Sequence, residues 1–381
     1  MDEVGQIIRK INMTKKDLEF YKGKKVLITG HTGFKGSWLC QILIEAGAEV
    51  TGYSLEPPTT PSLFEEAGIA EKINHVIGDI RDREKLMQVF AEVQPEIVLH
   101  LAAQPIVRES YKDPVGTYET NVMGTVNICE AARQTKSVKS FLNVTTDKVY
   151  KNNEWSWGYR ENEPLDGYDP YSNSKSCSEL VTHSYINSFY KYMDVAVSTA
   201  RAGNVIGGGD FAPDRIIPDC VRAAEKMIKT GNPEDGTIIV RNPYSTRPYQ
   251  HVLEPLNMYL TIAKAQYEDK EKAGFYNVGP DDCDCVTTGD IVNMFCASWN
   301  AKTSDGKDWG SVSWINKHDG GPHEANFLKL DCSLVKSVFG WKPVWNIDKA
   351  IEMVVQFSKR RIADPASVAE EMQAEIEEFF N

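Results

Sequence analysis

The sequence predicts an α/β fold in which a doubly wound parallel sheet is followed by a smaller mixed α/β C-terminal domain. Over the first two hundred residues, short apolar runs alternate with stretches of helical periodicity, which is the pattern of strands joined by helical crossovers. A glycine-rich turn directly follows the first apolar run. After about residue 201 the alternation gives way to loops rich in glycine and proline, which indicates a different architecture in the C-terminal part.

The apolar runs give the order of the predicted strands. The first covers residues 25–29, and a helix over 37–46 follows it and ends at Gly47, a residue type common at helix ends. The next strands of the sheet are predicted over 48–53, 75–80, 97–101 and 140–145. Segments of helix length separate them, so neighbouring strands are expected to run parallel. A helix and a strand within 247–280, with the strand at 275–279, are predicted to rejoin the sheet.

The composition is that of an ordinary globular chain and restricts the possible partners. The 381 residues carry a formal net charge of −12, and a field of that sign repels nucleic acids and anionic membrane surfaces. Of eight cysteines only Cys283 and Cys285 are close in sequence, a spacing found in neither redox motifs nor zinc sites. There is no run of roughly 20 apolar residues. We therefore expect a cytoplasmic protein with free thiols and without a metal.

The first predicted strand leads into the glycine turn Gly30-His-Thr-Gly33-Phe-Lys-Gly36, which opens the following helix. Glycines at these places allow a tight turn, close approach of a pyrophosphate to the backbone, and close packing of helix on strand. The helix N-terminus adds N–H donors and partial positive charge. A chance glycine loop is the alternative, but the surrounding strand pattern favours a dinucleotide-binding Rossmann domain.

Two features indicate which dinucleotide is bound. The acid expected about 20 residues after such a turn, which holds the ribose hydroxyls of NAD, is absent from Gly52-Tyr-Ser-Leu55, and Glu56 comes late. No arginine stands there to bind the 2′-phosphate of NADP, so NAD is the predicted cofactor. Asp79, at the end of the third predicted strand, is expected to accept a hydrogen bond from the adenine amino group, with a helix N-cap as the alternative.

A tyrosine and a lysine stand four residues apart in Tyr171-Ser-Asn-Ser-Lys175, directly after Pro170. In a helix this spacing places both side chains on one face. A nearby ammonium stabilises a phenolate and lowers the pKa of a tyrosine from about 10. The pair therefore predicts a base that removes a proton from a hydroxyl while a hydride leaves the same carbon. In isolation the spacing would indicate only a surface pair.

The fifth predicted strand ends in Thr145-Thr146-Asp147-Lys148. Hydroxyl, carboxyl and amine groups thus meet at the carboxyl edge of the sheet, where α/β proteins bind their ligands. In a regular strand Asp147 and Lys148 would point to opposite faces. For both to reach one substrate the chain must have left the strand at this point. A surface ion pair is the alternative.

These motifs, together with His100-Leu-Ala-Ala-Gln104, resemble those of the extended short-chain dehydrogenase/reductases, and in particular the nucleotide-sugar 4,6-dehydratases. The resemblance extends from about residue 22 to about residue 349. It implies NAD as cofactor and a homodimer or a dimer of dimers. Segments that resemble the members acting on CDP-D-glucose, and so imply that substrate, are 30–38, 157–162 and 241–251.

The resemblance also implies the roles of the central residues. Tyr171 would deprotonate the 4-hydroxyl of the sugar while a hydride passes from C4 to NAD, helped by Lys175 and by a hydrogen bond from Thr146. Water would then leave across C5 and C6, with Asp147 as the acid at the 6-hydroxyl, and the hydride would return to C6. Asp147 must then hold its proton near neutrality, which requires that burial or pairing raise its pKa from about 3.9.

One position departs from the pattern of the family. Many 4,6-dehydratases carry a glutamate, the base that removes the C5 proton, where this chain has Lys148. A lysine can act as that base only if burial or a neighbouring cation such as Lys175 depresses its pKa. The sequence leaves open whether Lys148 or another group takes the C5 proton.

The predicted site has a cofactor part and a substrate part. The cofactor part is predicted to consist of Gly30, Thr32, Gly33, Phe34, Gly36, Ser54, Asp79, Ile80, Leu101, Ala102, Ala103, Asn121, Thr145, Tyr171 and Lys175. The substrate part is predicted to consist of Gln104, Asn204, Arg215, Arg247, Tyr249 and Glu324. The arginines suit the diphosphate because their planar fork matches phosphate oxygens.

The domain boundaries follow from these assignments. Residues 1–20 are predicted to form an N-terminal extension, 21–202 the NAD-binding domain and 203–381 the substrate domain, with 247–280 returning to the sheet. Two other functions fit part of the pattern. Another nucleotide-sugar dehydratase or a 4-epimerase of the family would share the cofactor site, although an epimerase has no need of an acid at Asp147. A non-catalytic NAD-binding regulator would not need the tyrosine and lysine pair.

Overall fold

A computed structural model describes residues 12–303, 306–317 and 327–381. Its strands are β1 (Lys25–Thr29), β2 (Glu49–Ser54), β3 (Asn74–Ile77), β4 (Ile97–His100), β5 (Ser140–Thr146), β6 (Ala196–Ala202), β7 (Val205–Ile206), β8 (Thr237–Val240), β9 (Thr246–Pro248), β10 (Gln250–His251), β11 (Phe275–Val278), β12 (Cys285–Thr287) and β13 (Ser313–Asn316). Its α-helices are α1 (Lys15–Leu18), α2 (Phe34–Glu45), α3 (Leu63–Glu66), α4 (Arg83–Val93), α5 (Val107–Lys112), α6 (Pro114–Tyr118), α7 (Gly124–Gln134), α8 (Pro170–Ser188), α9 (Ile216–Thr230), α10 (Leu253–Glu268), α11 (Thr288–Asn300), α12 (Ser333–Phe339), α13 (Ile347–Ala363) and α14 (Val368–Phe380).

Seven strands form one sheet in the order β11-β6-β5-β4-β1-β2-β3. Every neighbouring pair in it is parallel, so the predicted doubly wound Rossmann sheet is confirmed. The order reverses between β1 and β4, and such a switch point opens a crevice at the carboxyl ends of the strands. Strand β11 comes from the C-terminal part of the chain and extends the sheet beyond β6.

The apolar runs form central strands because helices cover both faces of the sheet. Val26 and Ile28 of β1 belong to one buried cluster, with α2 and α10, whereas Leu27 belongs to another, with α4 and α7. Alternate residues of a strand point to opposite faces, so a strand buried on both sides has to be apolar throughout. The continuous apolar run at 25–29 reflects this two-sided burial.

The C-terminal part has its own apolar core, formed mainly by α9, α11 and α13, with Phe295, Trp299 and Ile351 among its fully buried side chains. Three two-stranded sheets accompany these helices: β7 with β10, β8 with β13, and β9 with β12. The first two are parallel and the third is antiparallel. This mixed α/β region stands opposite the carboxyl ends of β5 and β6 and closes one side of a cleft.

The structure differs from the prediction in one strand of the sheet and at the ends of several elements. Strand β6 was not among the predicted strands, because Ser198, Thr199 and Arg201 interrupt its apolar run. Helix α2 begins at Phe34 rather than at residue 37, because Gly33 already serves as its N-cap. Strand β3 ends at Ile77 instead of residue 80, where the chain turns to enter α4. The described part of the N-terminal extension packs onto the sheet domain, since Met13 and Leu18 are buried in the same apolar cluster as residues of β1 and α2. No helix of the described residues is long and apolar enough to cross a membrane.

We expect Gly36→Ala to destabilise the protein by about 1–3 kcal/mol, the usual cost of overpacking. A Cβ at Gly36 would lie 2.2 Å from the Gly30 carbonyl oxygen, which is part of the rigid turn. Gly33→Ala is the matched control, because its Cβ would be 3.5 Å from the same oxygen and should change stability by less than about 0.5 kcal/mol. Urea unfolding measures both values. Equal losses of stability in the two variants would show that the close approach of Gly36 to the Gly30 carbonyl does not shape the turn.

Candidate active site

A cleft with a volume of about 680 Å³ lies between the carboxyl ends of β5 and β6 and the C-terminal part. One wall comes from the end of β5 and from the start of α8, and the other from loops and helices after β6. The predicted residues that line it are Phe34, Thr145, Thr146, Asp147, Lys148, Tyr171, Asn204, Arg215, Arg247 and Tyr249. The fold thus brings the predicted oxidation pair, elimination pair and phosphate contacts to one opening or its immediate border.

The end of β5 explains how Asp147 and Lys148 both reach the cleft. The strand is regular up to Thr146, and residues Asp147–Val149 then form a 3₁₀ turn. The turn breaks the alternation of a strand, which would otherwise send the two side chains to opposite faces. The Thr146 hydroxyl donates to Asp147 Oδ1 over 2.9 Å and so holds the carboxyl at the strand end.

The surroundings of Asp147 make its carboxyl a weaker acid than it would be in water. Its side chain is only 2% exposed, and no hydrogen-bond partner for Oδ2 is found in the described part of the chain. Burial raises the pKa of Asp147, and this effect outweighs the opposite influence of Lys148, of the Thr146 hydrogen bond and of Arg247. The structure therefore meets the sequence-based demand for a raised pKa through desolvation.

Helix α8 presents the tyrosine and the lysine to the end of β5. It begins at Pro170, and the Asp169 carboxylate caps it by accepting from the Ser172 N–H over 2.9 Å. One turn separates Tyr171 from Lys175, so both face the strand. Tyr171 shares a hydrogen bond with the Thr146 hydroxyl, and Lys175 Nζ donates to the Val144 carbonyl over 3.1 Å.

The expected lowering of the Tyr171 pKa by Lys175 is wrong for this structure. Burial raises the pKa of Tyr171 to about 12, and the Thr146 hydrogen bond and the charge of Arg215 only partly oppose it. Lys175 is itself buried, and burial together with the charge of Lys35 lowers its pKa to about 8. Desolvation dominates here because both groups lie in a site from which the protein excludes most solvent.

Lys35 is a charged group of the cleft that sequence reasoning missed. It lies in the glycine turn, lines the cleft, and has a pKa lowered to about 8 by burial and by Arg215, against the opposing influence of Asp147 and Asp210. In the sequence it served only as a spacer between Gly33 and Gly36. Its residue type could have revealed it, because a glycine turn that packs against a sheet does not need a charged side chain at that position.

The glycine turn has the shape of a pyrophosphate cradle. Gly30 has a φ of +76°, and a Cβ there would lie 2.7 Å from the Ala102 backbone nitrogen. Helix α2 starts directly behind this turn and directs its first N–H groups toward it. At the end of β2, where the acid is absent, the Thr32 and Ser54 hydroxyls share a hydrogen bond of 2.8 Å. The fold thus brings together two hydroxyls that the sequence analysis assigned to the cofactor.

The other predicted cofactor residues follow the same edge of the sheet, where Leu101, Ala102 and Ala103 come directly after β4. The Asp79 carboxylate follows β3 and is paired with Arg81, whose Nη2 lies 2.6 Å from Oδ2. The N-cap of the next helix is Asp82, so the alternative that Asp79 caps a helix is wrong. Helical residues bond to two other predicted cofactor residues: the Ile80 carbonyl accepts from Asn127 Nδ2, on α7, and Asn121 Nδ2 donates to Ser174 Oγ, on α8.

The predicted substrate residues divide into those that line the cleft and those that do not. Arg215 Nη1 lies 3.0 Å from Asp210 Oδ2, and Arg247, on β9, is 5% exposed and acts electrostatically on Asp147. Gln104 lies outside the cleft lining, because its side chain is held by Thr117 Oγ1 and by the Ile106 N–H, at 2.9 and 2.6 Å. Glu324 lies outside the described residues.

Because of Asp147, we expect the stability of the protein to depend on pH in a defined direction. Burial raises the folded-state pKa, so ionisation costs stability as the pH rises above the unfolded value of about 3.9. Asp147→Asn should therefore raise the melting temperature near about pH 8 and change it little below about pH 4. Asparagine keeps an acceptor for Thr146 Oγ1, so the parent protein and the variant retain the same hydrogen bond and differ in the ionisable group. Thermal melts at several pH values measure the gain, and a gain independent of pH would contradict a raised pKa.

Comparison with known proteins adds the family. The model of the GDP-mannose 4,6 dehydratase family matches residues 27–354. The CDP-glucose 4,6-dehydratase of Salmonella typhimurium is 48% identical over 349 residues, which cover 90% of this chain and 92% of that protein. A probable dTDP-glucose 4,6-dehydratase of Sinorhizobium fredii is 26% identical over 344 residues, or 87% of this chain and 92% of that protein.

Solved structures give the same fold at lower identity. The dTDP-glucose 4,6-dehydratase of Bacillus anthracis in complex with NAD matches with a TM-score of 0.69 and 20% identity, over 90% of this chain and 98% of that one. The UDP-glucuronic acid 4-epimerase of Bacillus cereus, in complex with UDP-glucuronic acid and NAD, matches with a TM-score of 0.69 and 22% identity, over 88% and 99%. The family model spans most of the chain, and the Salmonella relative is nearly half identical. The chain therefore belongs to the GDP-mannose 4,6-dehydratase family of extended short-chain dehydrogenase/reductases.

Proposed function

We propose that the protein is a CDP-glucose 4,6-dehydratase that uses NAD to convert CDP-D-glucose into CDP-4-dehydro-6-deoxy-D-glucose. The observation that carries the proposal is the meeting of Tyr171, on α8, with the buried carboxyl of Asp147 in one cleft. The first suits oxidation of a hydroxyl, and the second suits protonation of a leaving hydroxyl. The 48% identity to the Salmonella CDP-glucose 4,6-dehydratase supports this choice of substrate over other nucleotide sugars.

The residues of the glycine turn fit a dinucleotide. NAD, when bound, takes up a hydride from C4 of the sugar and gives it back at C6. Gly30 and Gly36 leave room for a pyrophosphate at the N-terminus of α2, while the Thr32 and Ser54 hydroxyls replace the missing acid at the ribose. The predicted roles of Asp79, Ile80, Leu101, Ala102, Ala103, Asn121 and Thr145 at the cofactor belong to this proposal.

In the oxidation step Tyr171 takes the proton of the 4-hydroxyl. The Thr146 hydroxyl and the Arg215 charge both lower the pKa of Tyr171 against the effect of burial, and so favour the phenolate that the step requires. Lys175 holds the wall of the site through the Val144 carbonyl and provides the positive charge on the same helix face. Thr146 and Arg215 thus make Tyr171 a better acceptor for the 4-hydroxyl proton, and Lys175 fixes the wall of the site beside it.

In the elimination step Asp147 donates its proton to the departing 6-hydroxyl, and water leaves. Burial raises its pKa and so favours the protonated form that the step requires. We assign removal of the C5 proton to Lys148, which lines the cleft directly after Asp147. Its position matches that of the glutamate that other members use.

The remaining contacts bind the substrate and the partner subunit. Arg215 and Arg247 hold the diphosphate, with Asn204 and Tyr249 beside them. Exposed apolar side chains on the helices after β4 and β5, among them Val115 (67%) and Leu180 (52%), form the surface through which we propose a homodimer or a dimer of dimers. We place the reaction in the cytoplasm, at an early step toward the deoxyhexoses of surface polysaccharide such as lipopolysaccharide O-antigen.

Incubation with CDP-, dTDP-, UDP- and GDP-glucose, followed by mass spectrometry, tests the substrate. We expect loss of one water from CDP-glucose at a rate at least tenfold above the others, about 1.4 kcal/mol of discrimination. Isomerisation without loss of mass would instead identify a 4-epimerase. Loss of water from another sugar nucleotide alone would show that the enzyme prefers a different nucleobase. No turnover of any of the four would contradict the proposed activity and favour a protein that only binds the nucleotide.

Oxidation and elimination depend on different residues and can be separated. We expect Tyr171→Phe to bind the sugar nucleotide but to form neither ketone nor alkene, because it lacks the base. Asp147→Asn should form the 4-ketone and accumulate reduced cofactor on the enzyme with little loss of water. Near-ultraviolet absorbance and mass spectrometry measure the two steps. Normal turnover by Tyr171→Phe would remove it from the mechanism.

Lys148→Ala extends the same experiment to the C5 base. If Lys148 takes the C5 proton, the variant should also accumulate reduced cofactor, and deuterium from the solvent should enter C5 more slowly than in the parent. Dehydration at the parental rate would show that the lysine has another role and that a different group removes the proton.

A further inference from the structure

A fully buried ion pair lies behind the active-site wall. Arg201, on β6, and Glu179, on α8, both have a side-chain exposure of 0%. Arg201 Nε donates to Glu179 Oε1 over 3.0 Å and Nη2 donates to Oε2 over 2.9 Å. Two parallel bonds of this kind fix the orientation of both side chains. Burial alone would disfavour ionisation of Glu179, but Arg201 and the hydrogen bonds outweigh it and lower its pKa, so the pair stays charged.

The ion pair is bonded to both ends of the catalytic turn. Thr145, directly before Thr146, donates its hydroxyl to Glu179 Oε1 over 2.5 Å. Tyr150, directly after the Asp147–Val149 turn, has a hydroxyl that accepts from Arg201 Nη1 over 2.7 Å. The same pair therefore ties down the segment that carries Asp147 and Lys148 on each side. Because Glu179 is one helical turn beyond Lys175, it also ties that segment to the helix that carries Tyr171.

The sequence segment 157–162, for which the reaction gives no role, completes this arrangement. Tyr159 stacks on Tyr150, with ring centroids 5.4 Å apart and an interplanar angle of 14°. The Glu161 carbonyl accepts from Arg201 Nη1 over 3.0 Å. The Tyr150 hydroxyl also donates to Asn277 Oδ1, on β11, over 2.6 Å. These contacts leave Tyr150 and Arg201 little freedom to move.

We propose that the Glu179–Arg201 ion pair is a positioning unit that holds the Asp147 turn against the Tyr171 helix. It thereby allows Asp147 and Tyr171 to reach the same bound sugar. The inference rests on the proposed function, because it is this reaction that requires an oxidation group and an elimination group at one substrate. Neither Glu179 nor Arg201 lines the cleft. Their effect on the reaction is exerted through the segments that they hold.

The pair also affects the charge of Lys175. The groups that face this ammonium are Lys35 from α2, which lowers its pKa along with burial, Glu179 from its own helix, which raises it, and His100 from β4, which burial keeps neutral with a pKa of about 3. Glu179 thus opposes the lowering of the Lys175 pKa by burial and by Lys35. Without this charge, Lys175 should lose its proton at lower pH.

The first test compares two buried tyrosines that each lose one hydroxyl. Tyr150→Phe removes the bonds to Arg201 and Asn277, whereas Tyr190→Phe removes a buried bond to the Cys129 carbonyl on the opposite face of the sheet. We expect Tyr150→Phe to lower kcat at least about tenfold with little change in KM, since small displacements of reacting groups have such effects. Tyr190→Phe should leave kcat within about twofold. Equal kcat values in the two folded variants would overturn the proposal.

The second test uses Glu179→Gln, which keeps the shape of the side chain and removes the charge. The alkaline limb of the pH profile for oxidation should move to lower pH, because Lys175 loses the anion that raises its pKa. Melting curves show whether Glu179→Gln is folded. If it is unfolded, the result for Tyr150→Phe decides whether the ion pair positions the site. An unchanged pH profile in folded Glu179→Gln would contradict the charge effect. Failure of the proposed function itself would appear separately, as absence of dehydration by the parent protein.

Discussion

Seven parallel strands bring their carboxyl ends to the same edge of the sheet, and the arrangement of the site depends on this geometry. The glycine turn follows β1, the Thr146 and Asp147 segment follows β5, and the loop with Asn204 follows β6. Residues more than a hundred positions apart thereby meet without any long excursion of the chain. The reversal of strand order between β1 and β4 leaves the crevice where a dinucleotide fits. The C-terminal helices then only have to close the opposite side.

Burial is the second determinant of the chemistry. In water the groups of this cleft would be an ionised aspartate, charged lysines and a neutral tyrosine. Desolvation raises the pKa of Asp147 and lowers those of Lys35 and Lys175 to about 8. Burial thus makes the carboxyl a weaker acid and these two amines stronger acids than they are in water. A carboxyl with a raised pKa suits the donation of a proton to a leaving hydroxyl.

Most strands of the central sheet could be predicted because they are buried and largely apolar, as at Val26-Leu27-Ile28. The small sheets of the C-terminal part could not, because strands of two to four residues such as β7 and β9 have no periodicity to detect. Tyr171 and Lys175 were recognisable from their spacing. Lys35 and the Glu179–Arg201 pair were not, because their importance comes from burial and from partners distant in sequence.

Local hydrogen bonds explain two differences between the sequence-based expectations and the structure. The pKa of Tyr171 was expected to fall because a lysine stands four residues away, but spacing does not give the direction of the ammonium, which Val144 holds. The resemblance assigned Gln104 to the substrate, whereas in the structure it lies outside the cleft lining and its amide bonds to Thr117 and to the Ile106 N–H. In both cases a hydrogen bond to a nearby group, which the sequence does not reveal, decides where the side chain points.

The central claim is that one cleft carries out oxidation and elimination on a single bound sugar. The most direct measurement follows the hydrogen of C4, using CDP-glucose that carries deuterium at that position, mixed with unlabelled substrate. The account predicts that NMR and mass spectrometry find the deuterium at C6 of the 4-keto product, in the molecules that carried it at the start and without exchange into solvent. Deuterium that stays at C4, passes to solvent or appears in previously unlabelled molecules would contradict it.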